Sequence, residues 1–237
     1  MRKFILSFSF FISFCFGAEF EQIKTNVAQI SENLVQIYDS PNLIIGSSGV
    51  ILKQDKNNQI YIAAKVILKE KNGEFANLEV LPFKELGQDA FPSLNLPIEK
   101  GDVVLMNYLY NRSLIVAPTL EAFRVSSERF EDIDFVHPDL VAAYLSRHFS
   151  PEPSKKDFQK NCATNATGLI YFVLDKQAVF VDCNSFKVLK SFESSEINEF
   201  QAPFYSNVKE VKELLFDFFN SEIKNYDKYY KKLLGLQ

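Results

Sequence analysis

The sequence has few of the side chains on which most catalytic and metal sites depend. Its 237 residues include two histidines and three cysteines. Neither His137 nor His148 lies close to a cysteine in sequence, and no CxxC pair occurs, so neither a four-ligand zinc site nor a dithiol redox site is indicated. Glycine-rich phosphate loops, HExxH and the GxSxG elbow are also missing. The sequence therefore predicts a protein that is not an enzyme, without catalytic residues, cofactor or metal.

Three features have a catalytic or metal-binding interpretation beside a structural one. GSSG at 46–49 resembles a glycine-flanked nucleophile, but a tight bend or bulge between strands explains it better. Glu131, Asp132 and Asp134 favour a solvated acidic turn over a cation site. His148 falls near the end of a predicted helix, where a core or capping role is favoured over that of a general base.

The charge balance also excludes a class of partner. The formal net charge is −4 at pH 7, and this acidic balance argues against nucleic acid or anionic lipid as a partner.

Residues 1–18 have the layout of a secretory signal peptide. Two basic residues precede an uncharged run from Phe4 to Phe16, and small residues follow. The run is shorter than the ~20 residues that span a bilayer, so no membrane span is expected after cleavage. An uncleaved anchor and a lipid anchor on Cys15 are the alternatives. We expect an exported protein, either at the cell surface or in the periplasm, and association with the outer membrane is compatible with both locations.

Residues 19–130 have the pattern of a β-rich domain. Short β-branched and aromatic runs alternate with turn residues such as Asn72-Gly73, and the last runs lie in the segment 101–118. Six or seven strands at this spacing predict a barrel- or sandwich-like unit.

Residues 131–237 mix helices with a hairpin, so the whole chain is predicted to be α+β. Pro138 suits the first turn of one helix, and Ser154 with Asp157 forms a capping-box pattern for the next. Apolar runs then flank a turn at 175–177, followed by a third strand, and both faces of these strands should be covered. The segment 207–235 predicts one long amphipathic helix at the C-terminus.

Cys162 and Cys183 remain once the leader is removed, and an even count in an exported chain predicts one disulfide. The bond would tie the end of the second predicted helix to the end of the second hairpin strand. Two free thiols, a metal site and a redox pair are the less favoured alternatives.

The last helix has tyrosines and leucines on one face, while its lysines occupy the solvated side. These lysines can also present cations to an acidic partner surface. The residues concerned are Lys224, Lys228, Lys231 and Lys232. Asp227 has the spacing to pair with them, and Lys209, Glu210, Lys212 and Glu213 form a second cluster upstream.

Five segments together resemble the N-terminal domain of the plasminogen-binding surface proteins, PgbA-type, of host-associated Gram-negative bacteria. These segments are IGSSGVI, GDVVLMNYLYNRSLIVAP, HPDLVAAYLSRH, VFVDCNSFKVL and YDKYYKKLLG. The resemblance runs through nearly all of the chain after residue 18, and none of its segments is a catalytic motif.

The resemblance implies capture of host plasminogen at the bacterial surface. Plasminogen's kringle modules bind lysine by pairing its ammonium with acidic residues and holding its stem between aromatic walls. The chain ends at Gln237 rather than lysine, so internal lysines of the last helix are the expected ligands. A periplasmic structural or assembly factor without a host partner is the alternative function.

Overall fold

A computed structural model describes residues 20–31, 34–54, 57–83, 97–148, 150–208 and 223–236. The predicted signal peptide lies outside these residues. The described elements form two sheets and four helices, which confirms the predicted α+β class.

The first sheet contains seven antiparallel strands in the order β1-β7-β4-β5-β6-β3-β2. Their bounds are Ile23–Asn26 (β1), Gln29–Ser31 (β2), Leu34–Tyr38 (β3), Ser48–Gln54 (β4), Ile60–Asn72 (β5), Phe75–Leu81 (β6) and Val103–Met106 (β7). The chain passes directly from β1 at one edge to β2 at the other. Between them, the Val27 N–H donates to the Asp102 carbonyl and the Ala28 N–H to the Gln36 carbonyl. The sheet therefore curls into the barrel-like form that the sequence predicts.

The second sheet contains five strands in the order β12-β11-β10-β8-β9. Their bounds are Arg112–Val116 (β8), Asp134–Val136 (β9), Leu169–Leu174 (β10), Gln177–Asp182 (β11) and Val188–Glu193 (β12). Strand β8 runs parallel to both β9 and β10, whereas β10, β11 and β12 form the predicted antiparallel hairpin and third strand.

Strand β8 corrects the strand assignment made from sequence, which grouped all of 101–118 with the N-terminal strands. The change of sheet falls between β7 and β8, upstream of position 130. A division into two domains that fold separately stays a prediction.

Four helices cover the second sheet: Leu120–Arg129 (α1), Pro138–Arg147 (α2), Lys155–Asn165 (α3) and Tyr226–Leu234 (α4). Residues of α2, α3 and α4 pack on one face, and residues in and after α1 pack on the other. Every residue of β10 is buried. The prediction that both faces are covered is therefore confirmed for β10 and β11, whereas β12 at the edge of the sheet is only partly buried.

Local signals explain where three of these helices begin. Pro138 occupies the first turn of α2, and the Ser154 side chain and Asp157 form the predicted capping box of α3. Helix α4 begins only after Asn225, whose side chain accepts a hydrogen bond from the Lys228 N–H. Residues 223–225 are not helical, so the predicted single helix from 207 is wrong at this point. Residues 209–222 lie outside the described residues.

The carboxylate of Asp182, at the end of β11, joins the two sheets. It is fully buried. One oxygen, Oδ2, accepts hydrogen bonds from the Ser48 hydroxyl and the Tyr110 hydroxyl, both at 2.6 Å. The other, Oδ1, accepts from the backbone N–H groups of Asn184 at 2.9 Å and Ser185 at 2.6 Å. Ser48 begins β4, so this carboxylate connects the first sheet to the second.

Neighbouring donors fix the direction of this network. The Ser48 N–H donates to the Tyr110 hydroxyl at 2.9 Å, and the Asn184 side-chain N–H donates to the Ser48 hydroxyl at 2.9 Å. Each hydroxyl thus accepts one hydrogen bond and donates one hydrogen bond to the Asp182 carboxylate. Burial raises the pKa of the Asp182 carboxyl above its ordinary value, while the hydrogen bonds from Ser185, Ser48 and Tyr110 oppose that rise.

Gly46 completes the junction on the side of the first sheet. Its carbonyl accepts a hydrogen bond from the Ser185 hydroxyl at 2.6 Å. Its φ is +94°, and a Cβ at this position would lie 2.7 Å from the Cβ of Lys187. Only glycine fits both the backbone conformation and the close approach. The GSSG segment is therefore a bend that brings the sheets together.

The disulfide lies directly beside this junction. Cys162 of α3 and Cys183, the residue after Asp182, are bonded with a Cα–Cα distance of 6.1 Å. The Cys183 N–H donates to the Gly168 carbonyl at 3.0 Å. The bond thus ties α3 to the end of β11, where the predicted crosslink was expected.

We expect Asp182→Asn to destabilise the protein by about 2–4 kcal/mol, because an amide nitrogen cannot accept from the hydroxyls that a carboxylate oxygen satisfies. Denaturant unfolding of the purified protein measures the change. Asp132→Asn, the same substitution in an exposed turn, is the control and should shift the unfolding free energy by less than about 0.5 kcal/mol. Equal stabilities for the two variants would contradict the role of Asp182.

We expect the protein to contain the Cys162–Cys183 bond when it is isolated from an oxidising compartment. Its intact mass under non-reducing conditions should be two hydrogens below the dithiol value, and alkylation of both thiols without reductant would contradict the pairing. The double Cys→Ala variant should lose roughly 3 kcal/mol of stability, because the bond closes a loop of this length in the unfolded chain. Reduced wild-type protein is the matched comparison.

Candidate functional site

Three of the four lysines predicted to bind a partner lie on helix α4, and the fourth lies just before it. The Asn225 cap starts the helix, and Gly235 ends it in the left-handed conformation with φ +71°. Lys224 precedes the cap, while Lys228, Lys231 and Lys232 lie within or at the last turn of the helix. The helix is therefore a short, defined platform for these side chains.

The inner face of α4 is held by tyrosines. Tyr226 is buried and donates its hydroxyl to the Val116 carbonyl at 3.0 Å, and buried Tyr230 donates to the Pro203 carbonyl at 2.8 Å. Burial raises the pKa of both phenols well above the ordinary value, and it raises the pKa of half-buried Tyr229 to about 12. These tyrosines pack inward, as the amphipathic pattern predicts.

The outer face of α4 presents two exposed lysines, Lys228 and Lys232, and exposed Lys224 lies just before the helix. Lys231 differs from them. Its side chain is 27% exposed, and its ammonium lies 2.8 Å from the Asp227 carboxylate in an i,i+4 ion pair. The structure thus divides the four predicted lysines into three that face solvent and one that is paired within the helix.

Asp227 is occupied on both of its oxygens. Besides the ion pair with Lys231, it accepts a hydrogen bond from the Asp175 N–H at 2.8 Å. It therefore joins α4 to the turn between β10 and β11 instead of pairing with Lys224 or Lys228. Within the described part of the chain, the outer face of α4 offers ammonium groups without a paired carboxylate. The second predicted cluster, at 209–213, lies outside the described residues.

The two histidines act as helix caps. The His137 ring nitrogen Nδ1 accepts from the Asp139 N–H at 3.3 Å at the start of α2. His148 is the C-terminal cap of the same helix and stacks on Tyr144, with ring centroids 4.1 Å apart. His148 is exposed, so of the two structural roles weighed for it, capping applies and a core position does not.

The acidic residues at 131–134 are exposed. Glu131 and Asp132 lie in a turn, and Asp134 in β9 is 3.7 Å from the Arg112 side chain. Among the residues that the structure describes, no three His, Cys, Asp or Glu side chains are grouped to hold a metal ion.

None of the helices in the described ranges has the length and apolar character needed to cross a bilayer.

The sequence did not predict that Asp182, Ser48 and Tyr110 would form one hydrogen-bonded network. Asp182 ends a run of apolar residues, and an acid in that position must find several donors or stay out of the core. This was the available signal. The donors Ser48 and Tyr110 lie more than 70 residues away in sequence, and nothing in their local sequence connects them with Asp182.

Comparison with known proteins adds the family. A model of the family described as "Plasminogen-binding protein pgbA N-terminal" matches residues 22–234. Two proteins called plasminogen-binding protein PgbA, from Helicobacter pylori strains J99 and 26695, are each 25% identical to the chain over 201 residues. The alignments cover 83% of this chain and 44% of each relative, so the chain spans less than half the length of these relatives. The chain belongs to the PgbA N-terminal family.

Proposed function

We propose that this protein is an exported cell-envelope protein that binds host plasminogen at the bacterial surface, without catalysing a reaction. The observation that carries the proposal is the family match, which extends across both sheets and α4. The relatives are named for plasminogen binding. Export is supported by the leader-like segment at 1–18.

We further propose that the outer face of α4 supplies the lysines for a kringle module. Lys228 and Lys232 are four residues apart, so they lie on the same side of the helix about one turn apart. Both are exposed, as is Lys224. An exposed lysine can insert its aliphatic stem between aromatic side chains while its ammonium pairs with carboxylates of the partner.

The contacts that Asp227 already makes determine which groups α4 can offer to a kringle module. A terminal lysine offers a kringle both an ammonium and a carboxylate, but Asp227 is held by Lys231 and by the Asp175 N–H. The contact through α4 therefore depends on ammonium groups alone. A charge-driven contact at an exposed surface weakens as salt rises, and the loss of one half of the ligand predicts modest affinity.

Replacing Lys224, Lys228 and Lys232 together with alanine should reduce lysine-analogue-sensitive plasminogen binding severalfold. The fold should survive, because these side chains are exposed and the tyrosines that hold α4 remain. Lys231 is left in place, since its loss would also leave the Asp227 carboxylate without its ion-pair partner. Binding of purified protein to immobilised plasminogen, with and without a soluble lysine analogue, gives the readout.

The matched control replaces Lys24, Lys100 and Lys156, which are also exposed, so both variants lose the same charge. If the two triple variants bind equally, α4 is not the kringle ligand. If the wild-type chain binds plasminogen but a lysine analogue does not displace it, the lysine contact is wrong, and if it does not bind plasminogen at all, the proposed function is wrong for this chain.

Location separates this proposal from a periplasmic structural or assembly role. We expect antibody labelling and protease shaving of intact cells to detect the protein. Labelling that appears only after the outer membrane is permeabilised would favour the periplasmic alternative. A known periplasmic protein, followed in the same cells, controls for leakage.

A further inference from the structure

A pocket of about 750 Å³ lies where the turn between β7 and β8 meets the loop between β3 and β4. Residues just before β1, residues just before β9 and one residue of β12 complete its wall. It is larger than the cleft of about 220 Å³ that lies between α3 and strands β4 and β5. Its volume falls within the ~300–1,000 Å³ of pockets that hold small molecules.

Part of the pocket wall is apolar. Ile44 comes from the loop of the first sheet, while Ile133 packs against the aromatic cluster of the second sheet. Phe20 also lines the pocket, and its ring meets the Tyr110 ring edge-on with centroids 5.4 Å apart. These groups can remove the C–H surface of a ligand from water.

Three asparagines supply polar groups to the same wall. Asn42 and Asn111 are exposed, and neither side chain has a hydrogen-bond partner among the described residues. Each free amide offers two N–H donors and one acceptor oxygen.

Asn107 is the buried member of the three, with 4% of its surface exposed. Its Nδ2 donates to the Glu21 carbonyl at 2.8 Å, whereas its Oδ1 has no donor within the described part of the chain. A buried acceptor without a donor costs free energy. This atom therefore favours a ligand that brings an O–H or N–H group.

Charges of both signs line the pocket, so its wall is not selective for an ion. Glu21 and Asp132 contribute exposed carboxylates. Lys190 contributes an ammonium that lies 4.7 Å from the centre of the Phe20 ring and makes further contacts. The carboxylates disfavour an anion and the ammonium disfavours a cation, while carboxylates also accept hydrogen bonds from neutral O–H groups.

We propose that this pocket binds a short neutral saccharide, with its C–H surface against the isoleucines and its hydroxyls toward the asparagines and carboxylates. A sugar hydroxyl both donates and accepts, so it matches amides as well as carboxylates. A hydrocarbon ligand would leave the asparagines without partners. The pocket lies apart from α4, and this inference does not depend on plasminogen binding.

Cellobiose, maltose and N,N′-diacetylchitobiose are the probes, since they are neutral disaccharides that differ in linkage and substituents. We expect at least one of them to shift the methyl signals of Ile44 and Ile133 saturably in NMR titrations of the purified protein. The dissociation constant should be about millimolar, because hydrogen bonds at a solvent-accessible site each contribute little. Cadaverine, a diammonium without hydroxyls, tests the carboxylates as a cation site.

Three alanine variants locate the site. Asn42→Ala and Asn111→Ala each remove an amide without breaking a hydrogen bond of the fold, so each should weaken saccharide binding at least about twofold, and the double variant about tenfold. Asn198→Ala removes an exposed asparagine outside the pocket and should bind as the wild type does. Thermal unfolding checks that each variant is folded.

The proposal is overturned if none of the three disaccharides gives saturable shifts at concentrations on the order of tens of millimolar. Tighter binding of cadaverine than of every disaccharide would show a cation site instead. Unchanged binding by the folded double variant, or shifts that leave Ile44 and Ile133 unaffected, would place the saccharide elsewhere and contradict the pocket assignment.

Discussion

The buried carboxylate of Asp182 is the constraint on which the arrangement of the two sheets depends. A charge removed from water costs several kcal/mol unless it is fully hydrogen-bonded, so the fold must bring donors to both oxygens. Two of the four donors are local backbone groups after β11, and the other two are the hydroxyls of Ser48 at the start of β4 and of Tyr110 in the turn between β7 and β8. Any displacement of one sheet against the other would leave the carboxylate short of partners. The network therefore constrains how the two sheets lie against each other.

The disulfide and the cleft follow from the same junction. Cys183 is the residue after Asp182, so its bond to Cys162 holds α3 against the end of β11. This positions α3 opposite β4 and β5, and a cleft of about 220 Å³ remains between them. Asn184 connects the two features, because its backbone N–H bonds Asp182 while its side-chain oxygen accepts from Lys65. One short segment, 182–185, thus serves the core, the crosslink and the cleft wall.

The sequence is a good guide to features that depend on neighbouring residues. The capping box of α3, the proline at the start of α2 and the turn at 175–177 all appear where local patterns indicate them. It is a poor guide to pairing across the chain. Nothing local shows that β8 leaves the first sheet to run parallel to β10, more than 50 residues later. Helix α1 and strand β9 were missed, because α1 has only Ser126 buried and β9 has three residues. The same limit applies to α4, where helical spacing identified the tyrosine face but not the hydrogen bond that holds Asp227 to the 175 turn.

The anchoring of α4 affects how tightly the lysines of this helix could bind a partner in the proposed contact. The three tyrosine hydroxyls of the helix reach backbone carbonyls at Val116, Pro203 and Pro153, which lie in different parts of the fold. Asp227 adds a fourth tie, to the turn between β10 and β11. With the helix backbone fixed in this way, binding a partner through Lys228 or Lys232 requires ordering of one side chain, about 0.5–1.5 kcal/mol, rather than of a chain segment. A lysine on a mobile tail would lose considerably more. In the proposed contact, fixing the helix therefore offsets part of the affinity that an internal lysine loses because it has no α-carboxylate of its own to offer.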